Sequence, residues 1–227
     1  MTTIVETTSL SEQIEDALKA EILAGRYRPG QRISPDELRD RWGVSITPVR
    51  DAIRRLESIG LVKVLPRRGV YVATIDKKSF KNIFDLRIAL ECLAIETAAL
   101  LIPDEKIEEA YHYYREAERQ LRETGDRTLL IERDHTLHDL IIEYCDNPKL
   151  QEIMRDLHDL NVWARATLVA RHPDSYEQAL PEHLEIMEAL RARDVEAARQ
   201  RLRTHLENAF RRAYEDWNGG NGESDSP

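Results

Sequence analysis

Residues 61–75, "LVKVLPRRGVYVATI", place two short runs rich in Val and Tyr on either side of a turn-forming "PRRG", the pattern of a β-hairpin. What precedes the hairpin narrows the fold further. Ile14, Leu18, Ile22 and Leu23 recur at helical spacing over 10–24, and "AGRYRPGQRIS" then ends that segment with two glycines and a proline. "SPDELRDRWGVS" predicts a second helix, with Ser34 as its cap, Pro35 in its first turn and Gly43 as its stop. "SITPVRDAIRRLESIG" predicts a third, with Val49, Ile53 and Leu56 on one face and Gly60 closing it. Three helices followed by a two-stranded ribbon is the element order of a winged helix-turn-helix.

Beyond about residue 79 the periodicity changes to long amphipathic helices, expected over 79–102, 105–123, 127–145, 149–170, 175–191 and 194–217. Pro103, Pro148, Pro173, Gly125 and Asp194 mark the breaks. The fold class is therefore mainly α: an N-terminal winged helix-turn-helix over 1–75 and a C-terminal all-helical bundle over 76–217. The Gly/Ser-rich, acidic ending 218–227 is expected to be a disordered tail.

Charge divides along the same line. Of 33 Lys+Arg and 42 Asp+Glu, residues 1–75 hold 12 and 10, so a net charge of +2 there is masked by −11 in the remainder. Within 26–68 the count is 11 basic against 5 acidic. A locally basic module joined to an acidic one suits a nucleic-acid partner that the overall charge of −9 hides. Cys92 and Cys145 have no paired spacing, which fits two buried thiols in a reducing compartment. With no long uncharged apolar run, a cytoplasmic protein without a membrane partner is expected.

In a helix-turn-helix the second helix of the motif enters the major groove with its N-terminal residues against base edges. On the third predicted helix Thr47, Arg50 and Arg54 share one face, opposite Val49, Ile53 and Leu56. Arg is suited to bidentate contact with guanine, about 1–3 kcal/mol of discrimination. Arg67, Arg68 and Gly69 at the hairpin tip suit a wing that approaches phosphates. The competing reading is a solvated basic surface.

The bundle carries polar groups where apolar ones belong. In "ERDHTLHDLI" (132–141), Asp134 and His138 lie one helical turn apart on a stripe continued by Ile141 and Cys145. His183 aligns with Ile186, Met187 and Leu190, and His205 with Ala198, Leu202, Leu206 and Ala209. A single core histidine is ordinarily just hydrogen-bonded. Three inward histidines and an inward aspartate would all be satisfied by one divalent metal ion. Arg87, on a stripe with Ile83, Leu90 and Ala94, faces inward either to fork onto an anion or to pair with Glu91 one turn on. Asn161 and Arg165 are further candidates for ligand contact, while His112, His135, His158 and His172 are assigned to the surface.

The stretch "ILAGRYRPGQRIS…ELRDRWGVSITPVRDAIRRLESIGLVKVLPRRGVYV", with its "GVS", "PVR", "GLV" and "RRG" landmarks in order, resembles the DNA-binding domain of GntR-family bacterial transcription regulators. The C-terminal half resembles the all-helical FCD ligand domain of the FadR-type subgroup. The resemblance implies a homodimer on a pseudo-palindromic DNA operator, with Ser45, Thr47 and Arg50 as matching contact positions. It also implies a metal site of Asp134, His138, His183 and His205, holding zinc, with nickel or manganese as alternatives, and receiving a small carboxylate-bearing metabolite as effector. Where the family usually has arginine after the "VS", this chain has Ile46, so the operator sequence does not carry over. The alternative function is a metal-dependent enzyme acting on a small organic acid. No nucleophile motif or Gly-rich phosphate loop supports it, and it leaves the N-terminal third unexplained.

Overall fold

A computed structural model describes residues 9–168 and 174–220. Packing divides the chain into two compact units, Met1–Asp76 together with His158–Thr167, and Lys77–Leu157 together with Leu168–Pro227.

In the first unit, α1 (Leu10–Leu23) starts at a capping box: the Glu12 backbone N–H donates to the Ser9 hydroxyl, and Ser9 N–H donates to the Glu12 carboxylate. β1 is a two-residue strand, Arg32–Ile33. α2 (Pro35–Trp42) has Ser34 as N-cap, with proline at its start, and ends at Gly43 with φ +64°, a left-handed conformation that a Cβ would strain. α3 (Ile46–Ile59) follows after the short turn and stops at Gly60. Ile14, Leu18 and Ile22 of α1 share one buried cluster with Val49, Ile53 and Leu56 of α3. β2 (Val62–Leu65) and β3 (Gly69–Val72) form the expected hairpin, paired from Val62–Val72 to Leu65–Gly69. The ribbon is three-stranded instead of two-stranded, because β1 adds antiparallel to the far side of β3 in the order β1-β3-β2. Two residues are too few to display the alternation by which a strand is read from sequence.

The N-terminal unit also contains a segment from far along the chain. The sequence assigns all of 149–170 to the bundle, but His158–Thr167 groups with the DNA-binding elements. Trp163 is 3% exposed within their apolar cluster, Leu160 packs against it, and Lys19 donates to Asp159 at 2.9 Å. Burial of an indole outweighs the amphipathic pattern that marked the segment as bundle.

The second unit consists of α4 (Lys77–Leu101), α5 (Asp104–Thr124), α6 (Thr128–Glu132), α7 (Thr136–Glu143), α8 (Pro148–Leu168) up to Leu157, α9 (Asp174–Arg191) and α10 (Val195–Gly220). α4 packs on α10 and α7, and α9 on α10 and α5. Phe80, Phe84 and Phe210 stack at centroid distances of 4.9–5.9 Å where α4 meets α10. Arg193, after α9, donates to the carbonyls of Ala99 and Ile102 and so satisfies the end of α4.

Two expectations need correction here. The helix expected over 127–145 is broken into α6 and α7, because Arg133 leaves helical geometry at φ −130°, ψ 26° with no Pro or Gly to announce it. α10 continues to Gly220, so positions 218–220 of the expected tail are helical, and 221–227 lie outside the described residues. Among the described residues no helix is long and apolar enough to cross a membrane.

Candidate functional site

The N-terminal unit presents a recognition surface. Ser45 is the N-cap of α3 and makes no capping hydrogen bond, and Ser45, Thr47, Arg50 and Arg54 are all exposed. The first-turn N–H groups of α3 thus lie beside these side chains, a combination suited to DNA. The four candidates differ in their engagement. Arg54 donates to Asp51 at 3.0 Å, whereas Arg50 holds no ion pair among the described residues. At the hairpin tip Arg67 adopts φ +62° and Arg68 closes the turn onto Leu65, both exposed. At Gly69 a Cβ would come within 3.0 Å of Arg32 Nε. Arg32 is thus a further exposed cation beside the wing that the hairpin pattern alone does not reveal, because its strand was missed.

The second site lies inside the bundle. His138 of α7, His183 of α9 and His205 of α10 are buried, and one ring nitrogen from each lies within 4.8 Å of the others. His183 Nε2 and His205 Nε2 are 3.3 Å apart. Outer partners orient two of the rings. His138 Nδ1 meets Glu91 Oε2 at 2.5 Å, and His205 Nδ1 meets Glu182 Oε2 at 2.7 Å. Burial pushes the Glu91 carboxyl up, but the Arg87 and His138 charges outweigh it and hold it at about 2. Burial likewise raises Glu182, and hydrogen bonds from His205, Arg212 and Asn208 outweigh it, again giving about 2. An ionised carboxylate can only accept, so each Nδ1 carries a hydrogen, and in the neutral form of the ring Nε2 is the atom left with a lone pair. Burial, with His138 nearby, pushes His205 below its ordinary value despite the opposing Glu182, which favours the neutral ring that a metal needs.

These observations allow a test of fit. Two nitrogens at about 2.0–2.1 Å from one tetrahedral ion stand about 3.3–3.4 Å apart, and the His183–His205 separation falls there. Three buried imidazoles, two of them backed by carboxylates, form a donor set that suits a divalent metal ion.

Asp134 does not lie on a helix with His138, as the stripe requires; it stands half-buried in the turn between α6 and α7. Its charge still acts on His205 and on Tyr114, whose ring packs 5.1 Å from His183. Arg87 faces inward, and of its two possible roles the structure has the pair with Glu91, Nε to Oε1 at 2.8 Å. Asn161 is buried but belongs to the segment that groups with the N-terminal unit, apart from the unit holding the histidines. The Arg165 side chain and His172 lie outside the described residues. His112 and His135 are exposed, and His158 is half-buried instead of fully exposed. Cys92 and Cys145 are buried free thiols.

Glu182 is the functional residue that sequence reasoning missed, and Glu91 entered it only as a partner for Arg87. Glu91 sits on the inward stripe of Arg87 and could have been found by the same test. Glu182 gave no such signal, because its partners His205, Asn208 and Arg212 are brought to it by the packing of α10.

A winged helix-turn-helix followed along the chain by a helical unit is the organisation of a DNA-binding regulator. The profile "Bacterial regulatory proteins, gntR family" matches residues 10–72, and the FCD domain profile matches residues 82–208. The chain belongs to the gntR family of transcription regulators, with an FCD domain as its C-terminal part. It is 29% identical over 194 residues to the regulator YdhC of Bacillus subtilis, covering 86% of each chain. It is 28% identical over 218 residues to McbR of Escherichia coli, covering 92% of this chain and 95% of that protein. The solved structure of E. coli McbR/YncC superposes with a TM-score of 0.75 at 26% identity, covering 93% of this chain and all of that one. A protein of Paenarthrobacter nicotinovorans named as a probable D-xylose utilization operon transcriptional repressor is 29% identical, covering 94% and 92%.

Proposed function

We propose that this chain is a cytoplasmic, homodimeric regulator of the FadR-type subgroup whose affinity for a pseudo-palindromic operator is set by a small organic acid. Residues 1–75 bind DNA, and residues 76–217 hold a divalent metal, zinc in the first instance, through His138, His183, His205 and Asp134. The observation that carries this reading is the convergence of three buried imidazoles, two of them held by ionised carboxylates. A bound metal would supply a fixed positive charge with positions left open to the effector's carboxylate. Asp134, on a turn that can adjust more freely than a helix, supplies the fourth protein ligand.

The chain's own residues give this site its rigidity. Arg87 fixes Glu91, which fixes the His138 ring, while Arg212 and Asn208 fix Glu182, which fixes the His205 ring. Effector binding acts on DNA affinity through its differential affinity for two arrangements of the dimer. Ser45, Thr47, Arg50 and Arg54 read the major groove, while Arg67, Arg68 and Gly69 follow the backbone of the adjacent groove.

Two measurements test the proposal together. Elemental analysis after gentle purification should find one divalent metal per chain in the wild type and none in Asp134→Asn/His138→Ala. Gel shifts on the DNA upstream of the chain's own operon should be palindrome-dependent and salt-sensitive, and should respond to small organic acids only in the metal-loaded protein. Metal retained in the double variant would refute the ligand set, and binding indifferent to sequence would refute the regulator reading.

A further inference from the structure

α5 carries two consecutive tyrosines, in "YHYYREA" (111–117), that hold the break between α6 and α7. Neighbouring side chains on a helix leave it about 100° apart, so the two reach different sides of that break. Tyr113 holds the α6 side: its hydroxyl donates to the Leu129 carbonyl, and the Arg133 guanidinium lies 5.0 Å from its ring centroid. Tyr114 holds the α7 side. It is 2% exposed, and its hydroxyl accepts the backbone N–H of Leu137 at 3.0 Å. That N–H is one of the first-turn donors a helix leaves without an internal partner. His135, at the N-cap of α7, supplies no side-chain cap, so the cap comes from α5.

The same hydroxyl has a capacity left over. Accepting from Leu137 occupies a lone pair and leaves its own hydrogen to be donated. Among the described residues no acceptor meets that hydrogen, and a buried donor without an acceptor is unfavourable. Burial, with the Asp134 charge next in strength, pushes the hydroxyl above the ordinary phenol range, so the hydrogen is retained. Asp134 stands three residues before Leu137, half-buried on the turn, and the Tyr114 ring packs 5.1 Å from that of His183. The hydroxyl is thus fixed beside the segment that carries Asp134 and His138, on a ring that touches a third proposed ligand.

We propose that Tyr114 is the positioning residue of the metal site: anchored by Leu137, its hydroxyl donates to the Asp134 carboxylate and holds that carboxylate toward an ion bound at His138, His183 and His205. The inference rests on the ligand set proposed above and names what fixes its least constrained member. The three histidines are directed by α7, α9 and α10, whereas Asp134 follows the point where the backbone leaves helical geometry at Arg133. A carboxylate with one oxygen on a metal keeps the other as an acceptor, and such an outer hydrogen bond sets its direction. Glu91 and Glu182 do this for two imidazoles by accepting. Tyr114 does it for Asp134 by donating.

The test uses the full chain and cobalt(II), whose visible absorption reports the number and kind of its ligands. Tyr114→Phe should keep its helicity by circular dichroism, bind cobalt about 10–100-fold more weakly than the wild type, and give the cobalt spectrum of Asp134→Asn. In the Asp134→Asn background, Tyr114→Phe should change the affinity by less than about twofold, because losses that run through one ligand do not add. Tyr113→Phe, which releases only the α6 side, should bind cobalt as the wild type does. A second measurement needs no variant at Tyr114. Saturating zinc should shift the tyrosine ultraviolet absorption of the wild type to the red, as the hydroxyl gains a strong acceptor, and the shift should be missing in Asp134→Asn. Unchanged cobalt affinity in Tyr114→Phe, additive losses in the double variant, an equal loss in Tyr113→Phe, or a red shift retained in Asp134→Asn overturns the role of Tyr114 and leaves the metal site standing. A wild type that binds neither ion overturns both.

Discussion

The recognition surface of the N-terminal unit and the histidine cluster of the bundle are both built from cationic or cation-seeking side chains, yet they solve opposite problems. Arg50, Arg67 and Arg68 stand in solvent. They need no internal compensation, since water solvates them until a phosphate or base replaces it. His138, His183 and His205 are buried, where an unpaired polar group costs several kcal/mol, and each ring with a named outer partner is held by an ionised glutamate. One site is specified by position alone. The other needs a second layer of residues, and that layer is where its stability resides.

The sharpest challenge to this contrast is to remove one member of the outer layer. Glu91→Gln removes the charge that faces both the buried Arg87 and His138 and should cost about 3–5 kcal/mol of stability in urea unfolding. An apolar replacement of both, Arg87→Met/Glu91→Leu, should recover most of that loss, and a loss below 1 kcal/mol in the single variant would show that the pair is not a buried one. Next in size is the metal itself. Zinc at a hundredfold above its dissociation constant should stabilise the wild type by about 2.7 kcal/mol, read as a rise in melting temperature that a chelator reverses. His183→Ala should lose that response, and an unchanged zinc-dependent shift would place the site elsewhere.

On the exposed surface the effects should be smaller and leave folding untouched. Arg50→Ala should weaken specific DNA binding by about 1–3 kcal/mol and relax preference at one base pair. Equal losses on specific and random DNA would assign Arg50 to the backbone. Arg54, already paired with Asp51, should matter less: Arg54→Ala should cost under about 1 kcal/mol, measured in the same titration. If Arg54→Ala proves the more damaging of the two, the pair with Asp51 positions Arg54 for a base.

Much of the first site could be read from the chain because its rules are local. Ser34, Pro35, Gly43 and Gly60 mark helix ends by backbone chemistry that operates within a turn, and the observed α2 begins and ends, and α3 ends, there. β1 escaped because a strand of two residues is defined by its partner β3 and not by its own pattern. In the bundle, the inward histidines were legible from 3.6-residue periodicity. The break at 133–135 was not, since nothing in "ERDHT" disfavours a helix strongly enough to be seen without its neighbours. Periodicity likewise placed 158–167 with the bundle, because it shows that a face is buried and not which core buries it.

The sequence by itself determined the three helices and hairpin of the N-terminal unit, the basic face of α3 and the wing, and the inward direction of His138, His183, His205 and Arg87, because capping, periodicity and local charge act over a few residues. Only the tertiary structure decided that Arg87 pairs with Glu91, that Glu182 holds His205, that Asp134 stands on a turn, and that Trp163 belongs to the N-terminal core. Those outcomes depend on which distant side chain arrives to compensate a buried charge or cover an indole, and helix packing alone settles that.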